Sequence, residues 1–233
     1  MSDPVDFDKF YAERCREILA ELKSDEVVGV YIDDSLPVPK AFRGSGPIRL
    51  VILGQDPTVE ELESRRRVET VLTLDRPGSN LYRFVERVCE GLRLKVDLNV
   101  YATNVCKNFF TEPPVGVKAH DLIARTWPKW RDLLLAELDR FPDATIITLG
   151  KPILGVLVQP PAPQDLKHYW GYVEGWKSAG RAAFRSVEAN ESTIGRRFFP
   201  LPHVTNSAST ALYRTYFDEY LSFIRSAAMK EAT

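Results

Sequence analysis

The residue with the clearest chemical potential is Asp56, which lies in the sequence Gly54-Gln55-Asp56-Pro57. It follows an apolar run at residues 48–53 that only Arg49 interrupts, and this run predicts a buried strand. Gly54 permits a sharp turn after the strand, and Pro57 fixes the backbone beyond it. A carboxylate held at the carboxyl end of a central strand can activate water or stabilise a positive charge without moving.

Two further polar residues follow apolar segments in the same way. Asn104 ends the segment 100–104, and His203 follows the segment 199–202. The Asn side chain offers both a donor and an acceptor, and a histidine can donate to a developing negative charge. Each has an ordinary alternative, since Asp and Asn commonly cap turns and a lone histidine often only ends a strand.

The hydrophobic pattern alternates between strands and helices. Strands are predicted at 48–53, Val96–Ala102, Ala144–Leu149 and Phe198–Leu201, and helices at 6–23, 79–93, 119–140 and 210–228, with Ser79 capping the second helix. Strands separated by helices imply parallel pairing covered on both faces. We therefore expect an α/β fold, a three-layer αβα sandwich with a central, mostly parallel four-stranded sheet.

Composition fits one enzyme-sized domain spanning residues 1–233, with a helical extension over 1–37. The 233 residues are 44% hydrophobic and the net charge is −1. No apolar run is long enough for a membrane span and the first residues are polar, so we expect a cytoplasmic protein that does not enter membranes. Three cysteines without ligand spacing predict no metal site and no disulfide framework.

Gly54-Gln55-Asp56-Pro57 resembles the water-activating motif of the uracil-DNA glycosylase superfamily, G-Q-D-P-Y-H. Other segments resemble that family in the same order. They are residues 38–46, the lead-in to the first motif; 100–104, the strand ending in the base-reading Asn; 145–151, a strand ending in Gly; and 199–203, the strand and His of the H-P-S-P motif. The resemblance covers residues 38–225.

The resemblance implies roles for matching residues. Asp56 and His203 would be catalytic, and Gln55, Thr58, Leu72 and Asn104 would bind the base. DNA contacts would come from Arg65, Arg66, Lys151, Asn206, Ser207, Ser209 and Arg214. Leu212 and Tyr213 would either form a wedge that replaces the flipped nucleotide or belong to the last helix. The reaction needs water and no cofactor, and the partner would be DNA bound by a monomer.

Departures from the family pattern concern the base pocket. Thr58 replaces the Tyr that excludes thymine in uracil-specific members, and Val59 replaces the following His. Leu72-Thr73-Leu74 stands where a stacking Phe is usual, and Val204-Thr205 where Pro-Ser is usual. We therefore expect a DNA glycosylase with a pocket enlarged for a 5-substituted pyrimidine such as thymine or hydroxymethylated or glucosylated cytosine. The last of these bases suggests phage defence.

Three alternatives remain open at this stage. One is uracil repair by base excision, with Phe109 or Phe110 taking over the stacking role. Another is a non-catalytic glycosylase-like module that binds nucleic acid. The third, a nucleotide-binding or nucleoside-hydrolase role, lacks a glycine-rich phosphate motif. Lys107 and Lys151 lie near the motifs and leave an additional lyase activity open.

Residues 159–197 exceed what the family pattern needs and are predicted to be an insertion. The segment contains aromatic and basic residues: Tyr169, Trp170, Tyr172, Trp176, Arg181, Arg185, Arg196 and Arg197. These side chains could stack on bases and hold phosphates. The alternative, which we favour, is that the aromatic residues pack a local core.

Overall fold

A computed structural model of the chain describes residues 4–114, 116–160, 165–171, 183–203 and 214–229. The described helices are α1 (Pro4–Ser24), α2 (Leu62–Arg65), α3 (Asn80–Leu92), α4 (Val96–Asn99), α5 (Gly116–Asp139), α6 (Lys151–Leu157), α7 (Leu166–Tyr169) and α8 (Phe217–Met229). The described strands are β1 (Ile32–Asp33), β2 (Phe42–Arg43), β3 (Leu50–Gly54), β4 (Val100–Asn104), β5 (Phe109–Phe110), β6 (Thr145–Leu149) and β7 (Phe198–Leu201). In this part of the chain, no helix has the length and apolar character to cross a bilayer.

The central sheet has five strands in the order β2-β4-β3-β6-β7. Strands β4, β3, β6 and β7 are mutually parallel, and β2 pairs antiparallel with β4 at one edge. The predicted α/β sandwich with a mostly parallel sheet is therefore confirmed, and the predicted strand number of four was one too low. The missed strand, β2, is two residues long, which is too short for a hydrophobic alternation to reveal.

Helices cover both faces of this sheet. In the strand register, Tyr101 and Phe199 point to opposite faces. The Tyr101 hydroxyl donates to Glu137 of α5 at 2.6 Å, whereas the Phe199 ring lies 5.9 Å from the ring of Phe223 on α8. Helix α1 packs on α5, and α3 packs on α8. Every residue of β3 and β4 is consequently buried.

The boundaries of two elements test the sequence patterns. The predicted cap of α3 is confirmed, because the Ser79 hydroxyl accepts the N–H of Tyr82 at 3.1 Å. The predicted strand over Val96–Ala102 was wrong in its first half, where α4 forms one helical turn before β4 begins. The Asn99 side chain closes that turn by accepting the N–H of Lys95 at 3.0 Å.

The four parallel strands end at the same edge of the sheet, called here the carboxyl edge. Gly54 is opposite Asn104 in the register of β3 and β4, and Leu149 is opposite Leu201 in that of β6 and β7. Strand β3 has β4 on one side and β6 on the other, so successive connections run in opposite directions. In open α/β sheets such a reversal creates a crevice at the carboxyl ends of the strands.

The described parts of the predicted insertion pack onto the sheet. The indole N–H of Trp170 donates to the carbonyl of Pro200 at 2.9 Å, and its ring stacks on Tyr220 with centroids 4.4 Å apart. Tyr169 is also buried. These two aromatic residues therefore pack in the core, as the alternative interpretation holds. Tyr172, Trp176 and Arg181 lie outside the described residues.

Candidate functional site

Asn104 is buried at the carboxyl edge, with 2% of its surface exposed, and its side-chain oxygen Oδ1 has no hydrogen-bond partner among the described residues. This oxygen lies against Gly54, where an added β-carbon would stand 2.2 Å from it and 3.3 Å from Cδ2 of Leu72. Glycine is thus the residue that lets the Asn104 amide occupy this position. An unsatisfied buried acceptor costs about 1–3 kcal/mol, which a ligand N–H can offset.

The backbone beside Asn104 is strained. Leu72 and Thr73 have positive φ angles of 57° and 49°, a conformation that residues other than glycine rarely adopt. Each such residue costs on the order of 1–3 kcal/mol, and such strain clusters at ligand sites. Backbone hydrogen bonds hold the segment on both sides, for example from Val71 N–H to the carbonyl of Lys40 at 2.9 Å. Leu72, which was predicted to bind the base, therefore lies next to Asn104 in a constrained conformation.

The carboxylate of Asp56 is held by the loop that follows β3. Its Oδ1 accepts the backbone N–H of Thr58 at 2.8 Å, and its Oδ2 accepts the side-chain amide of Gln55 at 2.7 Å. The first bond is an Asx turn, the ordinary structural role of an Asp. With the Thr58 hydroxyl as a third donor, a carboxylate that has about four lone-pair positions retains capacity for one further donor, a water or a ligand.

Burial raises the pKa of Asp56 above its ordinary value. The hydrogen bonds from Thr58 and Gln55 and the charge of Arg65 act in the opposite direction and limit this rise in pKa. A raised carboxylate pKa brings the group nearer to the operating pH of a general base. Perturbed carboxylates in clefts are also common at functional sites.

The Thr58 hydroxyl stabilises the loop that follows β3. It accepts the backbone N–H of Phe110 at 2.8 Å and also hydrogen-bonds Asp56. These bonds tie the loop after β3 to strand β5. Phe109 and Phe110 are fully buried, so their rings are not at a surface where a base could stack.

Arg65 was predicted to contact DNA, and its surroundings do not favour that role. The side chain is 5% exposed, and its guanidinium donates to four backbone carbonyls, those of Val59, Glu60, Phe110 and Thr111. Four of its five N–H groups are therefore committed to holding the loop after β3 and joining it to β5. Phosphate contact from Arg65 would require breaking these buried hydrogen bonds.

His203 lies two residues beyond β7, beside the end of β6. An added β-carbon at Gly150 would lie 3.7 Å from Cβ of His203, and Gly150 has a φ of 102° that favours glycine. Burial lowers the pKa of His203 below 6.5, so the imidazole is neutral at pH 7. A neutral imidazole can still donate one hydrogen bond.

Lys107 is buried behind Asn104, on the α5 side of the sheet. Its ammonium donates to Thr103 Oγ1 at 2.7 Å, to the carbonyl of Asn104 at 3.1 Å and to the carboxylate of Glu137. All three N–H groups are thus engaged, and Lys107 does not fit the role of a lyase nucleophile. Its contact with the Asn104 carbonyl instead fixes the end of β4, a role that the sequence did not indicate.

The remaining predicted DNA contacts lie at the surface or outside the described residues. Arg66 is exposed and pairs with Glu63 at 2.7 Å, and the exposed Lys151 lies 3.7 Å from Asp165. Arg214 is also exposed. The structure brings none of these three into a hydrogen bond with Asp56, Asn104 or His203. The residues outside the described part are Asn206, Ser207, Ser209, Leu212 and Tyr213.

The described residues contain no group of three His, Cys, Asp or Glu side chains that could hold a metal ion. The three cysteines are free and buried. No protein-family model matches the chain, and no curated protein matches it.

Proposed function

We propose that the protein is a DNA glycosylase that hydrolyses the N-glycosidic bond of a modified pyrimidine flipped out of DNA. The observation that carries this proposal is that a held carboxylate and an unsatisfied amide oxygen follow or end two adjacent strands at the same edge of the sheet. The carboxylate follows the end of β3, and the unpartnered Oδ1 of Asn104 lies at the end of the adjacent strand β4. The family resemblance of the surrounding segments supports the same assignment.

The chemistry requires two opposite charges to be stabilised. As the glycosidic bond breaks, positive charge develops on the sugar and negative charge on the base. Asp56 would position the attacking water and stabilise the cationic sugar. His203, neutral because burial lowers its pKa, would donate to the base oxygen, and Asn104 would accept an N–H of the base.

The contacts of Thr58 support a pocket for a base larger than uracil. This residue has no ring, and its hydroxyl is directed to Phe110 and Asp56. The space that a tyrosine ring fills in the uracil-specific enzymes would be open to a 5-substituent. A hydroxymethyl or glucosyl group on cytosine fits this expectation, and with it a role in defence against phage.

The test is base release from matched duplexes containing uracil, thymine, 5-hydroxymethylcytosine or its glucosylated form. The wild type is expected to release a 5-substituted base, and Asp56→Asn is expected to lower the rate by about 10²–10⁴-fold. Asp25→Asn is the matched control, since Asp25 also caps a turn, through the N–H groups of Val27 and Val28 at 2.8 and 2.9 Å. Full activity in Asp56→Asn would overturn the mechanism.

Two other functions make different predictions in the same assay. Release of uracil alone would select uracil repair, but the burial of Phe109 and Phe110 disfavours the stacking that this alternative assigned to them. The Asx turn at Asp56 is the observation that favours a non-catalytic binding module. Binding of a modified duplex without release of any base would select that module.

A further inference from the structure

A cavity lies at the edge of the sheet opposite to Asp56, where β3, β6 and β7 begin. Its volume is about 780 Å³, within the range of small-molecule sites. Its wall includes Arg49 and Thr145 from the strand starts and Ile224 from α8. Of the residues assigned above to catalysis, base binding or DNA contact, none that the structure describes lines it.

The charge of this cavity differs from that of the whole chain. Four arginines line it, Arg49, Arg196, Arg197 and Arg225, against a single carboxylate, that of Asp143. The chain as a whole carries a net charge of −1. The local excess of guanidinium groups therefore reflects placement by the fold, which brings together residues from three separate parts of the sequence.

The arginines divide into two structural ones, Arg196 and Arg197, and two available ones, Arg49 and Arg225. Arg197 donates to the carbonyl of Ala227 at 3.2 Å. Arg196 donates to the carbonyls of Leu138, Phe141, Pro142 and Ala144 and so caps the end of α5. Arg225 donates one hydrogen bond, to the carbonyl of Gly91 at 3.2 Å. Among the described residues, no hydrogen bond or ion pair involves the side chain of Arg49, which is exposed. Because a guanidinium has five N–H donors, Arg49 and Arg225 retain most of theirs for a ligand.

The backbone of both available arginines is held in place by hydrogen bonds or by helix packing. The N–H of Arg49 donates to the carbonyl of Asn99 at 2.9 Å, and its carbonyl accepts from Thr145 at 3.0 Å. Arg225 lies within α8, which packs on α3. Such anchoring reduces the entropy lost when a ligand binds.

Most of the other residues of the wall are apolar. They include Ile48, Leu92, Leu94, Phe199 and Ile224, of which Leu92, Phe199 and Ile224 are buried. A concave wall that combines apolar side chains with guanidinium groups suits a small molecule with an apolar portion and a charged portion. A nucleic-acid strand instead binds along an exposed groove with accessible aromatic faces, and the one aromatic ring here is buried.

We propose that this cavity binds a small organic phosphate of nucleotide size, with the phosphate held between Arg49 and Arg225. Guanidinium groups match the geometry of phosphate oxygens and bind them through paired hydrogen bonds. The apolar portion of the ligand contacts Ile48 and Leu94. This site is independent of the function proposed for Asp56.

Titration calorimetry with AMP, with inorganic phosphate and with a single-stranded oligonucleotide tests the site. AMP is expected to bind, and more tightly than phosphate because phosphate lacks the apolar portion. Arg49→Gln combined with Arg225→Gln is expected to raise the Kd for AMP at least about tenfold, the loss of roughly one charge-assisted hydrogen bond. Arg125→Gln, which removes an exposed arginine paired with Asp121 at 3.0 Å, is the matched control and is expected to leave the Kd unchanged.

Arg49→Gln alone removes no described protein contact, so it tests the site even where loss of the Arg225 bond to Gly91 destabilises the fold. An unchanged Kd for AMP in Arg49→Gln and in the double variant would overturn the proposal. So would the absence of AMP binding to the wild type at millimolar concentration. Binding of the oligonucleotide that depends on Arg49, without binding of AMP, would replace the small phosphate with a nucleic-acid strand.

Discussion

Gly54 and Asn104 face each other across β3 and β4 so closely that a β-carbon at position 54 would stand 2.2 Å from Asn104 Oδ1. Real β-carbons do not approach an oxygen to this distance. The identity of residue 54 and the position of the Asn104 amide therefore depend on each other. In the proposed glycosylase, this pair sets the floor of the base pocket.

We expect Gly54→Ala to lower the free energy of unfolding by about 1–3 kcal/mol, because the methyl group overpacks the site. Asn104→Ala in the same chain removes the oxygen that the methyl group meets. The double variant is therefore expected to be more stable than the sum of the single changes predicts, by about 1 kcal/mol. Urea unfolding of the four proteins measures this coupling, and strictly additive effects would contradict the packing described here.

Asp56→Asn is expected to leave the free energy of unfolding at neutral pH unchanged or higher while it lowers the rate of base release by about 10²–10⁴-fold. Burial raises the pKa of Asp56 above 3.8, so the folded state holds this proton more tightly than the unfolded state. Ionising Asp56 thus opposes folding, and this cost appears as the pH rises from 3.8 through the raised pKa. The advantage of the variant over the wild type should grow across that interval in unfolding experiments.

The pKa of Asp25 is shifted in the opposite direction to that of Asp56, so its charge affects stability in the opposite way. Hydrogen bonds from the N–H groups of Val28 and Val27 lower the pKa of Asp25 below 3.8. Its charge therefore contributes stability above pH 3.8 that is lost as the pH falls through the lowered pKa. Asp25→Asn should be less stable than the wild type at neutral pH, and the difference should shrink in acid. A gain in stability from Asp25→Asn at pH 7 would show that the two turns do not differ in this way.

His203 is expected to act as a neutral donor. Because burial lowers its pKa below 6.5, its protonation should not affect base release between pH 7 and pH 8. His203→Gln keeps an uncharged donor and should retain more activity than His203→Ala. The unfolded state binds a proton at His203 more readily than the folded state does. The free energy of unfolding should therefore fall as the pH drops from 6.5 through the lowered pKa of His203. Rate profiles for the three proteins measure the first effect, and a rate that rises as His203 becomes protonated would reverse the assigned role.

Variants of the buried pair Lys107 and Glu137 can separate an effect on the stability of the fold from an effect on the position of Asn104. Lys107→Met leaves a buried carboxylate without its cation and is expected to cost about 3–5 kcal/mol. Adding Glu137→Gln removes that charge, keeps an acceptor for the hydroxyl of Tyr101, and should recover most of the stability.

In this double variant the Asn104 carbonyl has still lost its donor from Lys107. If Lys107 positions Asn104, base release should remain about tenfold lower although the fold is restored. Full activity in the double variant would mean that the pair contributes only to stability. The melting temperature and the release rate, measured on the same preparations, distinguish the two outcomes.

Much of the site's framework could be predicted because it depends on local patterns. Apolar runs that end at Gly54 and Gly150 indicated where strands stop, and parallel strands bring their carboxyl ends together. The Ser79 cap was visible for the same reason, since a cap acts within one turn of its helix.

The parts that could not be predicted depend on contacts between distant residues. Arg65 and Arg66 are adjacent and of one type, yet only Arg65 is buried, because strand β5, which lies 45 residues further along, supplies carbonyls for it. The left-handed backbone at Leu72 and Thr73 carries no glycine or asparagine to signal it. The cavity at the opposite edge is lined by arginines from three separate regions of the sequence, and no linear motif predicts that they lie together.

The hydrogen bond from the Trp170 indole to the carbonyl of Pro200 has a practical consequence for shortening this protein. Pro200 belongs to β7, and the same indole stacks on Tyr220 of α8. A truncation that excised residues 159–197 would therefore remove the side chain that connects β7 to α8. It would leave a void the size of an indole ring beneath α8. A minimal version of the fold would have to keep Trp170, or supply another large ring in its place, for strand β7 and helix α8 to remain joined.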